Sequence, residues 1–152
     1  MLVLDANILM RAVLGKGTRL LLAKYGARIE FVAPDVAFQE AQQRLPEVIE
    51  RRQLKAGPFM DYFFSLTSVV QTIDVEAYAG FEAMARQRMD LRDKDDWPIL
   101  AAALALDCPI WTEDADFFGC GDLDYGSRGT SPKAARIHHE IIETWTRFWE
   151  KE

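Results

Sequence analysis

Four short apolar runs, separated by stretches of helical periodicity, constrain this chain more than any other feature of its sequence. The first is Leu2-Val3-Leu4, ended at once by Asp5. The others fall at residues 29–33, 68–73 and 109–112. The first reads as a buried strand, and the other three as strands two to four. The segments between them predict helices over 7–14, over 18–24 with Gly26 as the stop, and from 35 to beyond 50 after Pro34-Asp35. Gly57-Pro58 is expected to break that helical stretch, which resumes over 59–66 and again over 75–89. Asp95-Asp96-Trp97-Pro98 opens a helix to Leu106 that is apolar almost all round, so it should be buried. A glycine-rich irregular stretch over 119–129 and an amphipathic helix over 132–150 complete the reading. Strand–helix alternation of this kind argues an α/β fold with a mainly parallel sheet. The 152 residues fit one domain, and there is no repeat or linker.

Composition removes several function classes. Two cysteines, Cys108 and Cys120, are too few for a disulfide framework and lack zinc-ligand company. The two histidines, His138 and His139, are adjacent, so on a helix they point apart and support neither a zinc site nor a Ser-His-Asp triad. No apolar run reaches the roughly 18 residues of a membrane span. The first residues lack the basic start and long apolar stretch of a secretory signal, so a cytoplasmic protein is expected.

The net charge of −6 runs against a phosphate-binding surface, but the acids are clustered. Asp90, Asp93, Asp95 and Asp96 form one group, and Glu113, Asp114, Asp116, Asp122 and Asp124 another. Clustered carboxylates repel one another, and a divalent cation would both neutralise them and attract phosphate. Solvated acidic loops are the plain alternative. In an open parallel sheet, ligands bind beyond the carboxyl ends of the strands. Asp5 directly follows the first strand, and Asp114 lies two residues beyond Thr112 at the end of the fourth. Glu40 shares a helix face with Val36 and Ala37, so it is expected to point inward, and Asp96 is aimed inward with Ile99, Leu100 and Ala103. Each acid also has an ordinary structural use. Asp96 and Asp5 could cap the helices that follow them, and Asp114 and Asp116 could end a strand in a turn.

Taken together, these pieces resemble the PIN-domain nucleases. Leu4-Asp5-Ala6-Asn7-Ile8-Leu9 is similar to the family's opening, and Val36 to Glu40 to its second, helix-borne acidic element. Asp96-Trp97-Pro98-Ile99-Leu100-Ala101-Ala102-Ala103 resembles the third element, and Trp111-Thr112-Glu113-Asp114-Ala115-Asp116-Phe117 the fourth. The likeness covers residues 1–118, and the tail from Gly119 matches nothing usable. The resemblance implies a three-layer α/β/α sandwich with a twisted, mainly parallel sheet. It implies Mg2+- or Mn2+-dependent cleavage of single-stranded RNA, with Asp5, Glu40, Asp96 and Asp114 as metal ligands and Asp116 as a supporting acid. Asn7 and Thr112 would orient the carboxylates by hydrogen bonds. The chain resembles the stand-alone toxins of VapBC-type toxin–antitoxin pairs, which implies a homodimer held inactive by a small antitoxin protein.

On that expectation, divalent ions activate water for in-line attack on the phosphodiester, and Glu40 holds or orients the water. Arg11, Arg92 and Lys94 are candidate cations for positioning RNA. Asp93 and Asp95 leave the register of the third ligand open, and Asp96 is preferred because it sets Ile99 and the alanines where the family has them. A phosphotransfer enzyme with an aspartate nucleophile would want a second Asp two residues after Asp5, where Asn7 stands. A non-catalytic RNA- or protein-binding module on a PIN-like fold is the main alternative. A structural Ca2+ site ranks last, since neither acidic loop has EF-hand spacing.

Overall fold

The computed structural model describes residues 1–89 and 94–113. Its sheet has four strands, β1 (Leu2–Leu4), β2 (Phe31–Pro34), β3 (Val70–Ile73) and β4 (Ile110–Trp111), in the order β3-β2-β1-β4. All three pairings are parallel, with Val3 opposite Val32 on one side and Ile110 on the other. Every residue of β1, β2 and β4 is buried, which is why these strands read as continuous apolar runs rather than alternating ones.

Helices α1 (Ala6–Leu14) and α2 (Lys16–Tyr25) connect β1 to β2. Helices α3 (Asp35–Arg51) and α4 (Ala56–Ser65) connect β2 to β3. The return to β4 runs through α5 (Val75–Tyr78), α6 (Glu82–Arg88) and α7 (Trp97–Leu106). The first two connections step the same way across the sheet, and the third steps back past β2 and β1. Because parallel crossovers are right-handed, that reversal puts α5–α7 on the opposite face from α1–α4. The helices of the first group pack on one another, whereas α7 packs with α5 and α6 and lies on β1 and β2. The result is an α/β/α sandwich with a parallel sheet.

Two helical stripes anchor the outer layers. On α3 it is Ala37, Ala41, Leu45 and Ile49, each four residues from the next and at most 1% exposed. On α7, Ile99 to Ala103 are all buried, and three consecutive alanines let the helix sit close on the sheet. Asp107 ends α7 with φ 47, in the left-handed region that Asp adopts more readily than most residues.

Several boundaries differ from those expected. Gly57-Pro58 does not break a helix but lies in the first turn of α4, where proline's missing N–H has no helical partner to lose. The actual break is at 52–55, where Gln53 adopts φ 56. The helix expected over 75–89 is three pieces, α5, a 3-10 turn at Ala79–Phe81 and α6, with Gly80 in the middle turn. Glycine costs about 1 kcal/mol in a helix interior, which favours a change of geometry there. The expected strand over 68–73 starts later, because Leu66–Ser68 is a 3-10 turn. The glycine-rich stretch over 119–129 and the helix over 132–150 lie outside the described residues. Among the described residues, no helix is long and apolar enough to cross a membrane.

Cys108, just before β4, is buried, and burial pushes its thiol from 9.0 up to about 11. Two pH units mean roughly a hundredfold less thiolate at neutral pH, so the native thiol should resist alkylation. In a Cys120→Ser background we expect iodoacetamide to label Cys108 only after denaturation. The unfolded chain gives up this proton first, so the site's contribution to stability falls as pH rises between 9.0 and about 11. Fast labelling of the native protein at neutral pH would show that the β4 edge opens.

Candidate nuclease site

A parallel sheet binds ligands where the strand order reverses, beyond the carboxyl ends. Here the chain leaves β1 towards β2 and β3 and later returns to β4 on the other side of β1, so the reversal lies between β1 and β4. Asp5 is the first residue after β1, and Thr112 and Glu113 are the first two after β4. The Asp5 amide donates to the Trp111 carbonyl at 3.4 Å, which holds the two strand ends together.

Asp5 is 5% exposed, and among the described residues only Thr18 is a second fully buried polar side chain. A carboxylate taken out of water must be compensated. Its Oδ1 accepts from the Ile8 amide at 2.8 Å, capping α1, and its Oδ2 accepts from the Thr112 hydroxyl. Asp5 is therefore both the helix cap and the group that Thr112 orients.

Glu113 is 18% exposed and ion-paired with Arg11. Burial pushes its carboxyl up, Arg11 pulls it down, and the nearby Asp5 charge raises it again; the outcome is a raised pKa. Its Oε1 is buried with no hydrogen-bond partner among the described residues. In the sequence Glu113 is one acid of a loop cluster, and nothing there distinguishes it from its neighbours. Arg11, a candidate for positioning RNA whose plain alternative is ordinary surface charge, pairs with Glu113 beside Asp5.

Asp96 is half-buried and immediately precedes α7. Because α7 carries the chain back to the start of β4, its N-terminus lies at the carboxyl edge. Asp96 sits at the N-cap position without making the cap hydrogen bond, so capping is not its use here. Asn7 is half-buried in the first turn of α1, and its side chain makes no hydrogen bond to the described residues.

Glu40 departs from expectation. It is exposed on α3, its side chain 47% accessible, and its Oε1 accepts from Arg44 at 2.7 Å rather than pointing into the fold. The inward reading takes Val36 as a face marker, but Val36 is itself only half-buried. The buried stripe runs through Ala37 and Ala41, and Glu40 lies one row to the side.

A further carboxylate at this edge shows in the sequence only as a helix start. Asp35 directly follows β2, and its Oδ1 accepts from the Tyr78 hydroxyl at 2.6 Å and the Val36 amide at 2.9 Å. Burial and the adjacent carboxylates hold the Tyr78 phenol far above its ordinary range. A contact across 43 residues leaves no periodic trace, so no local signal could have found it.

A model of the PIN-domain family matches residues 3–130. The chain belongs to the PIN-domain family. The match runs past residue 118 and takes in the glycine-rich stretch. No curated protein and no solved structure matches the chain. PIN domains are generally nucleases and typically use divalent metal ions. The groups that this PIN domain offers at the switch point fit a hard cation by type: they are oxygens, among them those of two neighbouring carboxylates, Asp5 and Glu113. Among the described residues no three acidic, cysteine or histidine side chains gather closely enough to hold an ion. Asp114 and Asp116 lie outside the described residues.

Proposed function

We propose that this PIN domain is a Mg2+- or Mn2+-dependent endoribonuclease that cuts single-stranded RNA and serves as the toxin of a toxin–antitoxin pair. The observation that carries the reading is Asp5, a buried carboxylate fixed by Thr112 at the point where the strand order reverses. Burying an aspartate there is costly for a cap that an exposed Ser or Asn could provide. Asp5, Asp96 and Asp114 would hold the ion, with Glu40 and Asp116 as supporting acids. When bound, the ion supplies acidity for the attacking water and charge for the developing oxyanion. Thr112 keeps the Asp5 carboxylate in one orientation, and Asn7, in the adjacent turn, is free to donate to a substrate or carboxylate. Glu40 leaves Arg44 to hold or orient the water, an exposed ion pair that costs little to break.

A small antitoxin protein and a second copy of the chain are the partners this reading brings. A neighbouring short reading frame whose product suppresses cleavage would support the first, and a solution mass of twice the chain the second. The substrate class is tested by offering single-stranded RNA, duplex RNA and single-stranded DNA of one sequence, with Mn2+ or with chelator. Cleavage of the first alone, only with metal, is expected; equal cutting of DNA would overturn the ribonuclease reading.

A second reading has one observation behind it. Arg11 already neutralises Glu113 beside Asp5, as it would in a PIN-like module that binds RNA or protein without cutting. Divalent metal that neither binds nor promotes cleavage would favour it.

A further inference from the structure

Trp97 follows Asp96 at the start of α7 and is only half-buried. Its ring meets Tyr78 with centroids 5.9 Å apart and planes at 58°. Arg86 of α6 sits over the same ring, its Cζ 5.0 Å from the centroid. The Arg86 side chain is 44% accessible, so the stack has an outer layer in water. Tyr78 is tied to Asp35 at the carboxyl end of β2, which fixes this stack at the same edge as Asp5. The Trp97 indole N–H donates to no group among the described residues.

We infer that Trp97 and Arg86 form a base-stacking subsite that seats one unpaired base of a single-stranded RNA beside the cleavage centre. The inference rests on the ribonuclease reading and adds how the strand is held. Two observations and the chemistry of stacking favour a base over a phosphate. Asp35, Asp74 and Glu76 all act on Tyr78, and Glu82 pairs with Arg86 at 2.7 Å, so this surface repels phosphate. A base face carries no net charge and stacks on an indole or a guanidinium without electrostatic penalty. The Trp97–Arg86 pair is also already assembled, so ordering it costs the ligand little.

The test measures binding of a fluorescein-labelled single-stranded RNA, and of copies carrying one abasic nucleotide, to the non-cleaving Asp5→Asn protein in chelator. One abasic position should weaken binding roughly 5- to 150-fold, the range for one base stacked on an aromatic ring. Adding Trp97→Leu should weaken the intact RNA by a similar factor and abolish the abasic effect, while Trp97→Phe should restore part of both. Arg86→Gln, on the surface of α6, should reduce the abasic effect without disturbing the fold. Equal abasic sensitivity with and without Arg86 and Trp97 would overturn the subsite while leaving the ribonuclease reading intact. No binding of any RNA by the Asp5→Asn protein, in chelator or in Mg2+, would instead remove the RNA reading, and the subsite with it.

Discussion

Asp5→Asn should abolish cleavage while the protein melts within a few degrees of the wild type. The asparagine keeps an oxygen for the Ile8 amide, so the α1 cap survives. The Thr112 hydroxyl can turn to accept from the new amide, so that contact survives with its direction reversed. What disappears is the negative charge, and removing one electrostatic contributor to a transition state costs on the order of 10^2–10^3 in rate. Asp5→Ala is the contrasting variant. It removes the cap and the acceptor of the Thr112 hydroxyl bond, for a loss of about 2 kcal/mol. If Asp5→Asn cleaves normally, Asp5 is a cap and nothing more. Rates and melting curves of the two variants separate the roles.

Ile8→Ala should give the reverse result: a large loss of stability and an intact activity per folded molecule. Ile8 is fully buried, and its amide is the one that Asp5 caps. Truncating a buried isoleucine costs about 2–5 kcal/mol in lost transfer energy and cavity. For a chain of this size each kcal/mol lowers the melting temperature by roughly 2–4 °C, so a drop of about 10 °C is expected. None of the candidate acids is touched, and the backbone amide at this position can still meet Asp5. A loss of activity with little loss of stability would mean that α1 positions the site more tightly than one cap explains. Urea titration and cleavage below the melting transition decide between these outcomes.

The parts of the fold that local physics dictates are legible in the sequence. Leu2-Val3-Leu4 is too short and too apolar to be other than a buried strand, and it ends at Asp5 as expected. The α7 segment has no polar face, and it lies buried on the sheet. Parallel topology follows from alternation alone. Where chain-local signals compete, the sequence is less sharp. Gly57-Pro58 carries a breaker signal, but a helix start satisfies proline equally well. On α3 the apolar residues define a narrow band, so a face assigned from Val36 misplaces Glu40. The remaining parts of the site depend on tertiary pairing. Arg11 with Glu113, and Tyr78 with Asp35, join residues far apart in the chain, and only the assembled sheet edge brings them together.

Cleavage of a mixed single-stranded RNA pool by the wild type and by Asp96→Asn, each with Mn2+ and with chelator, tests the central claim most directly. Asparagine matches aspartate closely in shape, so the exchange removes a ligand charge and little volume and should leave the fold intact. The account predicts Mn2+-dependent cutting by the wild type, none in chelator, and none by Asp96→Asn under either condition. Cutting by Asp96→Asn at the wild-type rate, or wild-type cutting that chelator leaves unchanged, would contradict it.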